Sequence, residues 1–85
     1  MPRTIYLAVE INSPELQLDC GAYNLIGAFE DYDKAVAARD AHVEADKEFG
    51  FYPVDVSKDS IVSYKNGDED SNLWSEYYIE KTVLR

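Results

Sequence analysis

Eighty-five residues leave room for one domain built on one hydrophobic core, and a chain this short buries only about 60% of its unfolded surface. At 46% hydrophobic and 29% charged residues, the composition is that of a folded globular chain and excludes a disordered one. Eight basic against seventeen acidic residues give a net charge of −9, which repels nucleic acid and anionic membranes and attracts a basic protein surface.

The first predicted element follows Met1-Pro2-Arg3 directly. From Thr4 to Ile11 the residues alternate, with Ile5, Leu7, Val9 and Ile11 on one face and Tyr6, Ala8 and Glu10 on the other. That period of two is the mark of a half-buried strand. Asn12-Ser13-Pro14 ends it, because proline donates no ladder hydrogen bond and Asn and Ser favour turns. Glu15 to Gly21 reads as a polar connection, with room for a short strand extension through Leu16 and Leu18.

Tyr23 to Phe29 is a second strand, and its small residues Gly27 and Ala28 predict close packing of another element over it. A helix follows, over about residues 32–48. Asp31 is its N-cap, and Asp33 faces the positive end of the helix dipole from the first turn. The segment contains no glycine or proline and is rich in alanine. Its apolar side runs through Tyr32, Ala35, Val36, Ala38 or Arg39, and Val43 to Phe49, and Gly50 supplies the stop.

Beyond the helix, Phe51 to Ser57 reads as a strand carrying Tyr52, Val54 and Val56 on one face. Lys58-Asp59-Ser60 is a bend or bulge before a further strand segment from Ile61 to Tyr64. Asn66-Gly67 opens a polar loop to Asn72, and Trp74 to Leu84 forms the last strand, with Tyr77, Ile79 and Val83 on one face. One helix cannot cover both faces of a parallel sheet, and the other connections are short. The expected fold is therefore α+β in one domain: a mainly antiparallel sheet of four to five strands, order ββαββ(β), with the helix on one face. Tyr6, Glu10, Tyr78 and Glu80 are expected on the uncovered face.

The run Leu25-Ile26-Gly27-Ala28-Phe29, followed by Asp33-Lys34-Ala35 and Ala38, resembles the strand-to-helix step of many small uncharacterised prokaryotic and phage domains. The likeness covers roughly a quarter of the chain and implies a fold without implying an activity. In size, charge and aromatic content the chain also resembles small acidic phage anti-defence proteins, among them CRISPR inhibitors and DNA mimics.

Few residue groups have the makings of chemistry. Asp68, Asp70 and Asn72 share the D-x-D-x-N spacing that opens an EF-hand calcium loop, but Leu73 stands where that loop needs glycine and Ile79 where it needs glutamate. His42 has Asp46 one turn on, a pair suited to general acid–base work or to contributing to a metal site, although it is the only histidine. Cys20 is the only cysteine, so no internal disulfide forms, and the neighbouring Asp19 opposes its thiolate. No catalytic residue and no cofactor is expected, and the absence of an apolar leader or of ~20 consecutive apolar residues points to a cytoplasmic protein.

The charge is better organised than the chemistry. Asp40, Glu44 and Glu48 recur at intervals of four, with Asp33 seven residues earlier, and residues 30–48 hold seven acids against three bases. A rise of ~1.5 Å per residue spaces successive carboxylates by about 6 Å, close to the phosphate interval of a nucleic-acid strand. The same stripe also fits the ordinary solvated face of an amphipathic helix. The leading expectation is a non-enzymatic acidic module that binds a basic, nucleic-acid-binding surface of a partner protein and inhibits it. Asp33, Asp40, Glu44, Glu48, Asp68, Glu69, Asp70, Trp74 and Tyr78 are its contact residues. Two alternatives stand beside it: a small homo-oligomeric or accessory subunit, a homodimer for instance, whose acidity reflects a high-salt host, and a divalent-cation-binding domain using residues 68–72.

Overall fold

The computed structural model describes residues 3–14 and 23–84, so the expected extension through Leu16 and Leu18 and the turn at Cys20 lie outside the described residues. Five strands form one antiparallel sheet: β1 (Arg3–Asn12), β2 (Tyr23–Phe29), β3 (Phe51–Val56), β4 (Ser60–Lys65) and β5 (Trp74–Leu84). Their order across the sheet is β2-β1-β5-β4-β3, and α1 (Tyr32–Asp46), the one α-helix among the described residues, follows β2. The fold is α+β, as the segment pattern predicts. Among the described residues no helix is long and apolar enough to cross a membrane.

Local chemistry sets the helix ends. Asp31 has extended backbone and its side chain accepts from the Asp33 amide, so the first turn starts on a satisfied donor. At the far end Lys47–Phe49 tightens into a 3-10 turn, and Gly50 adopts the left-handed conformation at φ 88°, which a side chain disfavours. Asn66 and Gly67 both take positive φ, and the Asp68 amide returns to the Lys65 carbonyl. Two left-handed central residues make this a type I′-like turn.

Which face the helix covers is where the structure departs from expectation. Tyr6 packs edge-on against Tyr32, and Glu10 reaches His42 on α1. Alternation then places Tyr6, Ala8 and Glu10 under the helix and Ile5, Leu7, Val9 and Ile11 on the opposite face. Tyr6 and Glu10 are therefore not on the uncovered face, whereas Tyr78 and Glu80 are. The physical reason is clearance. Ala8, on the face beneath α1, is small enough to let the helix approach the sheet, while the space over its pair partner Gly27 is filled by the Phe29 ring. Ala8 and Ala35 are both fully buried. A row of Leu and Ile would hold the helix further away.

The covered core centres on Val43, Ile61 and Tyr77, with Ile26 packed against it. Arg39 is buried in the same stripe, its Nη1 donating to the Lys58 carbonyl at 3.1 Å, so the polar option of the expected apolar side is the one used. A second correction falls on β3. The register jumps between Pro53 and Asp55, so Tyr52 pairs with Tyr64 on the open face while Val56 pairs with Ile61 beneath the helix. Tyr52 and Val56 thus lie on opposite faces, because one bulged residue inverts the alternation. Pro53 sits on an edge strand, where a missing amide is tolerated.

Candidate functional site

Two features stand out, one on each side of the sheet. Among the described residues no element packs over the face opposite α1. The strand registers lay out its rows. One runs Leu25–Val9–Tyr78–Ser60, the next Tyr23–Ile11–Glu76–Val62–Asp55, and a third Trp74–Tyr64–Tyr52. Val9 is fully buried, yet Tyr23 and Leu25 are 52% and 51% exposed, and Tyr52 is 46% exposed. Isolated exposed apolar residues are ordinary; here Tyr23 and Leu25 sit on edge strand β2 and Tyr52 on the opposite edge strand β3, with partly buried Ile11, Tyr78, Val62 and Tyr64 between them. The charges across the middle of this face are acidic: Glu76, which accepts from the Ser60 hydroxyl at 3.1 Å, and the exposed Glu80 and Asp55; Arg3, at the end of the same face, is paired with Glu30. Burial, helped by Glu80, Tyr23 and Glu76, pushes the Tyr78 phenol up.

The second feature lies between β1, β5 and the last turn of α1. His42 Nε2 is 3.2 Å from Glu10 Oε1 and 3.8 Å from Asp46 Oδ2. The ligand atoms of all three groups lie within 4.8 Å of one another. Asn24 Nδ2 donates to Glu10 Oε1 at 3.2 Å, and the Tyr77 hydroxyl donates to Asp46 Oδ2. The Glu10 side chain is 8% exposed, that of Asp46 20% and that of His42 31%. Burial pushes the Asp46 carboxyl up; the Tyr77 hydroxyl pulls it down, and the adjacent Glu10 adds to the rise. A cavity of about 190 Å³ adjoins the group, lined by Glu10, Asn12, Asp46, Phe49, Phe51 and Ser75. This arrangement can hold a proton or a cation.

Comparison with known families, curated proteins and solved structures found no match to this chain. Everything about its action therefore rests on its own geometry.

The expected contact residues do not gather in one place. Asp33, Asp40, Glu44 and Glu48 are exposed along the helix and the turn that follows it. Asp40 is held by Arg39 at 3.1 Å and Glu44 by Lys47 at 2.7 Å, so two of these four carboxylates have a local cation. Asp40 and Glu44 also flank the buried stripe on its β3 side, lining a second hollow with Val43, Pro53, Val56 and Ile61. In the 68–72 loop, Asp68 Oδ1 accepts from the Asp70 amide and the Asp68 carbonyl from the Ser71 amide. Asp68 is thus occupied in capping its own turn, while Glu69, Asp70 and Asn72 are exposed. Trp74 and Tyr78 lie on the open sheet face.

The His42–Asp46 spacing is visible in the helix, but Glu10, Asn24 and Tyr77 join it only through strand register. An inward charge on a strand was the available signal. The alternation of β1 hid it, since the more apolar face is the natural choice for the core.

Proposed function

We propose that this chain is a non-enzymatic, acidic protein-binding module that docks through its open sheet face onto a partner surface combining apolar and basic side chains. The supporting observation is the row Leu25–Val9–Tyr78 beside Tyr23–Ile11–Glu76: exposed Tyr23 and Leu25 and partly buried Ile11 and Tyr78 around a buried Val9, with the Glu76 carboxylate among them. Aromatic side chains supply contact area at low entropic cost, and the acid among them selects a basic counterpart and steers its approach. A second copy of the chain is the poorer occupant, because each copy carries −9.

A nucleic-acid-binding protein presents the required basic surface, and covering that surface would block it; the module then acts as an inhibitor. The helix carboxylates Asp33, Asp40, Glu44 and Glu48 extend the negative potential along the other side of the molecule. Arg39 and Lys47 already engage two of them, which places the weight of the reading on the sheet face.

The experiment is capture from the native host by the full chain, alongside a Leu25→Lys/Tyr78→Lys variant and an Asp40→Lys/Glu44→Lys/Glu48→Lys variant. The reading holds if a basic protein is retained by the wild type, released by raised salt and lost with the sheet-face variant. It fails if that variant, folded by circular dichroism, captures the same protein as well as the wild type. Loss with the helix variant alone moves the contact to the helix. Sedimentation showing a dimer that persists in high salt, where apolar burial strengthens, turns the face into a self-association surface.

A further inference from the structure

We propose that Glu10, His42 and Asp46 together bind one first-row divalent transition cation, with Zn²⁺ the best-fitting ion. Around a tetrahedral ion with bonds of 2.0–2.1 Å, neighbouring ligand atoms stand about 3.3 Å apart. His42 Nε2 already lies 3.2 Å from Glu10 Oε1 and 3.8 Å from Asp46 Oδ2. The Glu10 and Asp46 ligand atoms lie within 4.8 Å of each other, so closing all three onto one ion asks for side-chain adjustment of up to about 1.5 Å. One imidazole and two carboxylates suit a borderline ion such as Zn²⁺, Co²⁺ or Ni²⁺, whereas Ca²⁺ takes six to eight oxygens.

The surroundings also call for a cation. The ion pairs that Glu10 and Asp46 make among the described residues are both with His42, so neither carboxylate meets a lysine or arginine. Asp46 closes α1, whose last turn carries no basic residue, at the end where unpaired backbone carbonyls gather negative potential. Two ionised carboxylates beside a neutral imidazole match the charge of one divalent ion.

Supporting contacts orient the ligands as outer partners do in metal sites. Asn24 holds Glu10, and the Tyr77 hydroxyl holds Asp46. The adjoining cavity of about 190 Å³ has room for the water needed to complete the coordination. Three protein ligands and an open position describe an ion that ties β1 to the end of α1 and remains reachable from solvent. This site is distinct from the docking face, which lies on the other side of the sheet.

His42 is the only histidine in the chain, so its ring protons give an unambiguous nuclear magnetic resonance signal. Zn²⁺ alone, added to the full chain carrying Cys20→Ser, should move that signal and saturate at one equivalent. Co²⁺ titration should show a visible ligand-field band that His42→Gln and Asp46→Asn each weaken at least about tenfold. Asp68→Asn/Asp70→Asn should leave it unchanged. The proposal is overturned if the histidine signal stays put at several-fold excess Zn²⁺ in the folded protein. It is equally overturned if the 68/70 variant, and not His42→Gln, abolishes binding. Because the resonance reads the unsubstituted site, an unfolded His42 variant would not remove the test.

Discussion

The Tyr77 hydroxyl donates to the Asp46 carboxylate, joining the middle of β5 to the last turn of α1 from within the core. Tyr77 has no exposed surface, and its ring also meets His42 edge-on, with centroids 5.9 Å apart. One side chain therefore fills the core and supplies the donor for a mostly buried carboxylate. Tyr77→Phe keeps the ring and removes the donor, and should cost about 1–3 kcal/mol in urea unfolding. In an Asp46→Asn background the same change should cost less, a coupling of at least about 0.5 kcal/mol. Strict additivity would show that the hydrogen bond does not matter.

Alkaline pH reads the same contact. Burial first, and then the hydrogen bond to Asp46, push the Tyr77 phenol far above its ordinary value of 10.0. The unfolded chain can release that proton near pH 10 and the folded chain cannot. Stability from this group is thus complete below about pH 10 and lost progressively as the pH rises beyond it. Phenolate absorbance should show one of the seven tyrosines ionising only as the protein unfolds. Ionisation of all seven while the circular dichroism stays native would contradict this.

Ala8 tests which face the helix covers. It is fully buried opposite Gly27, beneath α1. Ala8→Leu should destabilise by about 1–3 kcal/mol through overpacking. Leu25→Lys, on the half-exposed opposite face, should change stability by no more than about 0.5 kcal/mol. Denaturant midpoints in which Ala8→Leu is neutral and Leu25→Lys severe would reverse the face assignment.

Arg39 is buried at 4% exposure and bridges α1 to the bend before β4 through the Lys58 carbonyl, while its Nε and Nη2 both engage Asp40. Arg39→Lys cannot reproduce that fork and should lose about 1–3 kcal/mol. Faster amide exchange should appear around residues 57–60, next to the freed carbonyl. Unchanged exchange there would separate Arg39 from the bend.

Gly50 ends the helical segment at φ 88°, with its amide bonded to the Lys47 carbonyl. Gly50→Ala should cost about 1–2 kcal/mol, and Gly50→Asn less, since asparagine tolerates the left-handed region better. Equal thermal shifts for the two variants would mean that crowding by Lys65, and not backbone conformation, sets the cost.

Much of the fold was legible from short-range pattern. The alternation of β1, the Asp31 cap, the Gly50 stop and the Asn66-Gly67 turn each depend on a few neighbouring residues, and each element formed where they put it. The candidate sites were less legible because their members belong to different strands. His42 and Asp46 are one helical turn apart and readable together, but Glu10 is 32 residues from His42 and joins only when the β1–β5 and β1–β2 registers are set. The Pro53–Asp55 bulge likewise turned Tyr52 away from Val56; Pro53 was its one local mark, and proline is equally compatible with a regular edge strand.

The chain by itself determined its element types, its antiparallel α+β class and its surplus of negative charge, because propensity, capping, alternation and composition act over a few residues or over none. Only the tertiary structure decided which side of the sheet the helix covers. Alternation states that a strand has two faces but not which one is buried; that choice depends on how closely a helix can approach. Small Ala8 admitted it, which set Glu10 on the inner face toward His42 and Asp46 and left Leu25, Tyr78 and their neighbours on the outer face.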